Sequence, residues 1–192
     1  MQRALLFPLL CCLLLAVALI TQAQAPADKE AKIQSALSAA PPSITDNATI
    51  MDWPAEPKGE MTELRKGTNK WTCLPDMPQT QGNDPMCLDA PWLEWADAWM
   101  NKREPKITQM GFGYMLQGGS PESNTDPYAK KPTQDNEWIT EAEPHVMILV
   151  PDEKMLEGLP TNPDSGGPWV MWRNTPYAHI MAPTPKYMPK KK

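Results

Sequence analysis

The chain has 192 residues, 41% of them hydrophobic, with 18 Lys and Arg against 23 Asp and Glu and a formal net charge of −5. That length is enough for one domain with its own core. The basic residues are scattered apart from Lys190-Lys191-Lys192, which excludes a basic stripe for nucleic acid and a basic amphipathic helix for a membrane surface.

Met1-Gln2-Arg3, the apolar run from Ala4 to Ile20 and the small residues around Ala23 and Ala25 form the three-part pattern of a secretory leader over residues 1–25. Cleavage after Ala25 satisfies Ala-x-Ala but leaves Pro26 behind the cut. Cleavage after Ala23 avoids that proline and is preferred. An uncleaved membrane anchor is the competing reading, but the run sits at the lower edge of spanning length and Pro8 interrupts it. The expected location is therefore periplasmic or secreted, with no membrane attachment after cleavage. Cys11 and Cys12 leave with the leader, so the mature chain keeps only Cys73 and Cys87. An even pair in an oxidising compartment predicts a Cys73–Cys87 disulfide. On the chain-entropy account, closing so short a loop contributes about 3 kcal/mol. A metal pair or a catalytic thiol competes, but the spacing lacks a tight Cys-x-x-Cys clamp.

Residues 26–45 read as a short helix or a flexible N-terminal segment. Ile33, Ala36, Leu37 and Ala40 share a helical stripe, Asp28 offers a cap and Pro41-Pro42 stops the run. Residues 46–186 read as a single domain and 187–192 as a basic tail. Within the domain, residues 48–53 suggest a strand. Two further strands, 60–65 and 70–73, are separated by Lys66-Gly67-Thr68-Asn69, which reads as a hairpin turn. The Pro- and Gly-rich segment 74–86 is the loop that the disulfide ties down. Asp89 as N-cap and Pro91 in the first turn begin a helix to about Lys102, with Trp92, Trp95, Ala96 and Trp99 on one face. Strands are predicted at 107–117, with a bend at Gly111 and Gly113, and at 145–150, 169–172 and 178–182. Residues 118–137 form a long polar loop and 152–159 a short helix. The order of elements predicts an α+β fold: an antiparallel sheet of four to six strands, one main helix packed on it, Pro-rich loops and one disulfide.

Four groups of residues invite a functional reading. Asp164-Ser165-Gly166-Gly167-Pro168 looks like a serine-protease nucleophile loop, but the nearest upstream histidine is His145 and the chain is too short for two barrels, so a Gly-Pro turn is the plainer reading. His145-Val146-Met147 and His179-Ile180-Met181 each place an imidazole and a thioether on one strand face. If those strands pair antiparallel, His145, Met147, His179 and Met181 form a candidate metal site, and thioether with imidazole suits Cu(I). Buried structural His and Met are the alternative, since Met fills irregular cores readily. The eight Trp offer either an aromatic platform for a ligand or a helix stripe that forms the core. Trp169 and Trp172 have opposite strand parity, which predicts that at least one faces outward. Lastly, Glu122, Asn124 and Asp126 in the polar loop could hold a ligand or hard cation, although their spacing is not that of a calcium loop.

Three segments together resemble an uncharacterised group of secreted bacterial proteins: Lys66 to Cys73, Gly82 to Cys87, and Gly166 to Trp172 with Tyr177 to Met181. The resemblance implies an exported or envelope location and brings no activity, cofactor or catalytic residue. With no cysteine nucleophile and no serine triad, the sequence favours a non-enzymatic binding or accessory protein of the bacterial envelope, binding copper or a small molecule. A small envelope hydrolase is the alternative.

Overall fold

Asp89 shows how short sequence signals set the frame. Its backbone is extended, and its Oδ1 accepts a hydrogen bond from the Trp92 N–H at 3.1 Å, which caps the helix Ala90–Met100 with Pro91 in its first turn. Its Oδ2 accepts from the Phe112 N–H at 2.7 Å, so one carboxylate starts a helix and fastens it to a strand. The computed structural model describes residues 28–55 and 59–185. The leader, its two cut sites and the basic tail at 187–192 lie outside the described residues.

In chain order the helices are α1 (residues 28–37), α2 (Pro42–Thr45) and α3 (Ala90–Met100). The strands are β1 (Thr49–Asp52), β2 (Thr62–Arg65), β3 (Thr72–Leu74), β4 (Met86–Leu88), β5 (Gly111–Met115), β6 (Glu122–Ser123), β7 (Trp138–Ile139), β8 (His145–Leu149), β9 (Trp169–Met171) and β10 (His179–Pro183). Eight of them form one sheet in the order β2-β1-β3-β4-β5-β8-β10-β9, while β6 and β7 pair as a separate ribbon. Every pairing in the large sheet is antiparallel except β1 with β3. The α+β class therefore holds, with two corrections. The sheet is larger than four to six strands and mixed, and α3 is joined by two further helices.

The predicted hairpin between β2 and β3 does not form, because β1 lies between them. The Lys66–Asn69 turn grips the start of β1 instead. The Thr68 and Asn69 N–H groups both donate to the Asn47 carbonyl, and Asn69 Nδ2 donates to the Ile44 carbonyl. A Cβ on Gly67 would lie 2.2 Å from the Thr49 nitrogen, so the glycine is there for backbone approach. Residues 152–159 supply a 3-10 turn at Glu153–Leu156 rather than a full helix, with Asp152 accepting from the Lys154 N–H.

Strand alternation sorts the core onto two faces. Leu74 and Leu88 point to the face that α3 covers, in a cluster with Trp92, Trp95, Met147, Leu149, Trp172 and Met181. Cys73 and Cys87 point to the other face, where Ala36, Ala39, Ala40 and Ile50 pack. These two cysteines are directly opposed across β3 and β4 and are joined as the predicted disulfide. Residues 28–45 are folded onto this second cluster: the Leu116 N–H donates to the Ala39 carbonyl, and Lys32 bonds Asp52 at 2.9 Å. Asp28 is already inside α1. Gly111 lets α3 approach the sheet, since a Cβ there would lie 2.7 Å from the Pro91 Cβ. Trp169 and Trp172 are both buried. The parity rule fails because β9 ends at Met171 and Trp172 takes a left-handed φ of 54°, which turns its ring inward.

Candidate functional site

The two histidine-bearing strands are neighbours. In the β8–β10 ladder Met147 faces Met181 and His145 faces Pro183, and the Ile180–Ile148 pairing carried one residue on sets His179 across from Leu149. His145, Met147, His179 and Met181 share the inner face, and none is more than 8% exposed. The two histidines stand at opposite ends of this row, offset by four strand positions, or about 13 Å along the sheet. His145 and Met181 line one cavity, whereas Met147 and His179 lie outside its lining.

His179 belongs to an aromatic cluster. Its ring meets Trp92, Trp95 and Trp172 edge-on, with centroids 5.2, 5.4 and 5.3 Å away. Trp95 in turn stacks on Trp172 at 5.6 Å, and Trp99 stacks on Tyr128 at 6.2 Å. Burial drives the His179 imidazole down to about 4, against the hydrogen bond to the Tyr177 carbonyl, with a smaller lowering from the charge of His145. A neutral ring wedged among three indoles is a packing element, and Trp92 and Trp95 are core.

The cavity lies between the β6–β7 ribbon and the end of the large sheet and encloses about 270 Å³. His145, Met181 and Trp169 form its sheet side. Five acidic residues, Glu122, Glu137, Glu141, Glu143 and Asp164, are among its lining, and no Lys or Arg lines it among the described residues. His145 is 2% exposed, and its Nδ1 lies 2.6 Å from the Glu143 carbonyl. A carbonyl only accepts, so Nδ1 carries the proton and Nε2 is left with a lone pair. That Nε2 is buried and has no hydrogen-bond partner. Burial lowers the His145 pKa, with the Glu143 bond opposing, so the ring is neutral at physiological pH.

Glu122 is the other unusual group. Burial pushes its carboxyl up to about 7, and the charge of Asp84 adds to the effect. Asp84 is itself held by the Met77 N–H at 3.1 Å and by the Ser120 hydroxyl at 2.6 Å. Of the other polar-loop candidates, Asn124 is a structural hub. Its Nδ2 donates to Glu137 Oε2 and to the Thr161 carbonyl, while its Oδ1 accepts from the Trp169 indole. Asp126 accepts from the Tyr128 N–H in a local turn. Ser165 sits in a 3-10 turn closed by Gly166 at φ 77° and donates to the Gly167 carbonyl, while the preceding Asp164 is the residue of that motif that reaches the cavity.

Among the described residues no three or more His, Cys, Asp or Glu are grouped to hold a metal ion, and no helix is long and apolar enough to cross a membrane. The cavity carboxylates escaped the sequence reading because they come from segments that meet only through the ribbon. Glu122 alone carried a signal, as an acidic residue in a polar loop. No family model matches the chain, and no curated protein or solved structure is significantly similar to it.

Proposed function

We propose that this is an exported, non-enzymatic binding protein whose cavity takes a small positively charged ligand. The observation that supports the reading is a concave site lined by five acidic residues and no cationic one among the described residues. A cleft bordered by acidic side chains of one sign raises the local concentration of cations. The Cys73–Cys87 disulfide supports an oxidising compartment, periplasmic or extracellular.

Copper is a second reading, favoured by His145 and Met181 in one wall. A histidine that donates Nδ1–H to a carbonyl and keeps Nε2 free has the arrangement that orients metal-binding imidazoles. The Met181 thioether would direct such a site toward Cu(I). Met147 and His179 would act behind it as packing.

Thermal unfolding in the presence of a panel of small ions tests the main reading. A ligand at a hundred times its Kd stabilises the folded state by about 2.7 kcal/mol, so cations should raise Tm while matched anions leave it unchanged. Glu137→Gln with Asp164→Asn should weaken that response. A panel in which no cation moves Tm would eliminate the proposal. If only Ag(I) or Cu(I) does so, and Met181→Leu abolishes the shift, the copper reading gains.

A further inference from the structure

We propose that the stacked rings of Trp95, Trp172, Trp99 and Tyr128 carry one-electron oxidation out of the core and deposit it on Tyr128 at the surface. The four rings form a continuous column. Trp95 lies on Trp172 with centroids 5.6 Å apart, Trp172 on Trp99 at 6.1 Å and Trp99 on Tyr128 at 6.2 Å, and no neighbouring pair is tilted by more than 15°. Exposure rises along it. Trp95 and Trp172 are buried, Trp99 is half-buried and Tyr128 is 38% exposed. None of the four lines the cavity, so this route is separate from the ligand site.

The hydrogen bonds along the column decide where the oxidation ends. An indole that loses an electron is a cation, and a charge is least stable in a dry interior. It is relieved there only by losing a proton. The Trp95 Nε1–H is buried and has no acceptor, while the Trp172 Nε1–H donates to the Ser123 carbonyl at 2.6 Å and the Trp99 Nε1–H to the Pro127 carbonyl at 3.0 Å. Carbonyl oxygens accept hydrogen bonds but are far too weakly basic to take the proton. Each indole cation therefore stays charged and oxidising until the next ring outward reduces it. Tyr177 also meets Trp95 edge-on at 5.9 Å, but it is buried and its hydroxyl donates to the Arg103 carbonyl, which again cannot take a proton. Tyr128 ends the column at water. Lys102 places its ammonium 5.0 Å from the centre of this ring, which opposes a positive ring but not a neutral one, so electron and proton leave Tyr128 together. An outside one-electron oxidant of the azide- or carbonate-radical class takes one electron from an indole and is reduced to its anion. Tyr128 then returns one electron to the column and its phenolic proton passes to water, which restores the indole and leaves a neutral phenoxyl radical. A hydrogen-atom donor of the ascorbate class restores Tyr128.

Pulse radiolysis of the whole mature protein, with the azide radical as oxidant, tests the route. The absorption of the indole radical should give way to that of the phenoxyl radical at a rate independent of protein concentration. Tyr128→Phe keeps the stacked ring, removes the phenol and should abolish that phase. Trp99→Phe, which keeps a ring but not an oxidisable one, should slow it. Tyr177→Phe should leave it, because the Tyr128 hydroxyl still has the Trp99 carbonyl. Tyr114→Phe should leave it too, and controls for Trp71, whose ring meets Tyr114 at 5.4 Å. Far-UV circular dichroism confirms that each variant is folded. Persistence of the phase in Tyr128→Phe, its loss in Tyr114→Phe or Tyr177→Phe, an unchanged rate in Trp99→Phe, or an indole radical that decays without a phenoxyl would each overturn the proposal.

Discussion

Glu122 and the two histidines set opposite pH responses. The Glu122 carboxyl titrates near 7 in the fold and near 4.5 when free, so between those values the folded state holds a proton that the unfolded chain has lost. Its contribution to stability is complete below about 4.5 and disappears as pH rises through 7. His179 behaves in reverse: its folded value is about 4 against an ordinary 6.5, so the unfolded chain takes up the proton first and stability falls as pH drops from 6.5 to 4. His145 is lowered as well and adds to that slope. In the wild type the two trends offset each other across mildly acidic pH. Glu122→Gln removes this carboxyl's opposition to the histidine slope. The variant should be more stable than wild type at pH 8, by about 2 kcal/mol once the shift is discounted for water entering the cavity, and equal to it at pH 4. Urea unfolding at those two pH values checks this; an equal gain at both would mean that packing, not ionisation, is responsible.

Element boundaries follow from local chemistry where one residue does two jobs. Replacing Asp89 with Ala removes both the cap on the Trp92 N–H and the acceptor for Phe112 N–H, a loss of about 2 kcal/mol. Asp89→Asn keeps one acceptor oxygen and should lose about half as much, since its amide nitrogen cannot accept. Chemical denaturation of the pair distinguishes this from a generic surface change, in which the two variants would behave alike. The same residue explains why α3 was legible in the sequence. Its cap, its Pro91 and its Trp stripe all lie within eleven residues and agree. The strands of His145 and His179 were legible too, the first as an unbroken apolar run between Pro144 and Pro151 and the second after the turn at Asn174-Thr175-Pro176, although their pairing was not. β1 was legible as a strand, but its place between β2 and β3 was not, because β2 follows it in the chain and lies on its far side from β3. The Lys66–Asn69 segment has the composition of a hairpin turn, yet its donors serve Asn47, twenty or so positions upstream. β6 and β7, two residues each, are too short to show alternation, and the cavity they help enclose was hidden with them.

At the scale of the whole molecule, two core clusters lie on opposite faces of the sheet and share β3 and β4. The α1 cluster packs small residues around the Cys73–Cys87 bridge, and the α3 cluster packs indoles around His179. Five small or sulfur-bearing side chains, Ala36, Ala39, Ala48, Cys73 and Cys87, are fully buried around the bridge, with Ile50 the one large aliphatic side chain buried among them, so this cluster depends on its cross-link. The second cluster has Trp92, Trp95, Trp169 and Trp172 and needs none. The loop inside the bridge also holds itself: the Asp84 N–H donates to Asp76 Oδ1 and Asp84 bonds Ser120, which keeps its contact with the cavity side without help from sulfur. Changing both cysteines to Ala should therefore cost about 3 kcal/mol and lower Tm by about 10 °C, while the near-UV circular dichroism of the Trp cluster at 25 °C stays that of the wild type. Hydrogen exchange should quicken first in α1 and β1, because these elements lean on the bridge. Uniform loss of protection across both clusters, or collapse of the aromatic signal at 25 °C, would mean that the sheet unfolds as a single unit and that the division drawn from its packing is wrong.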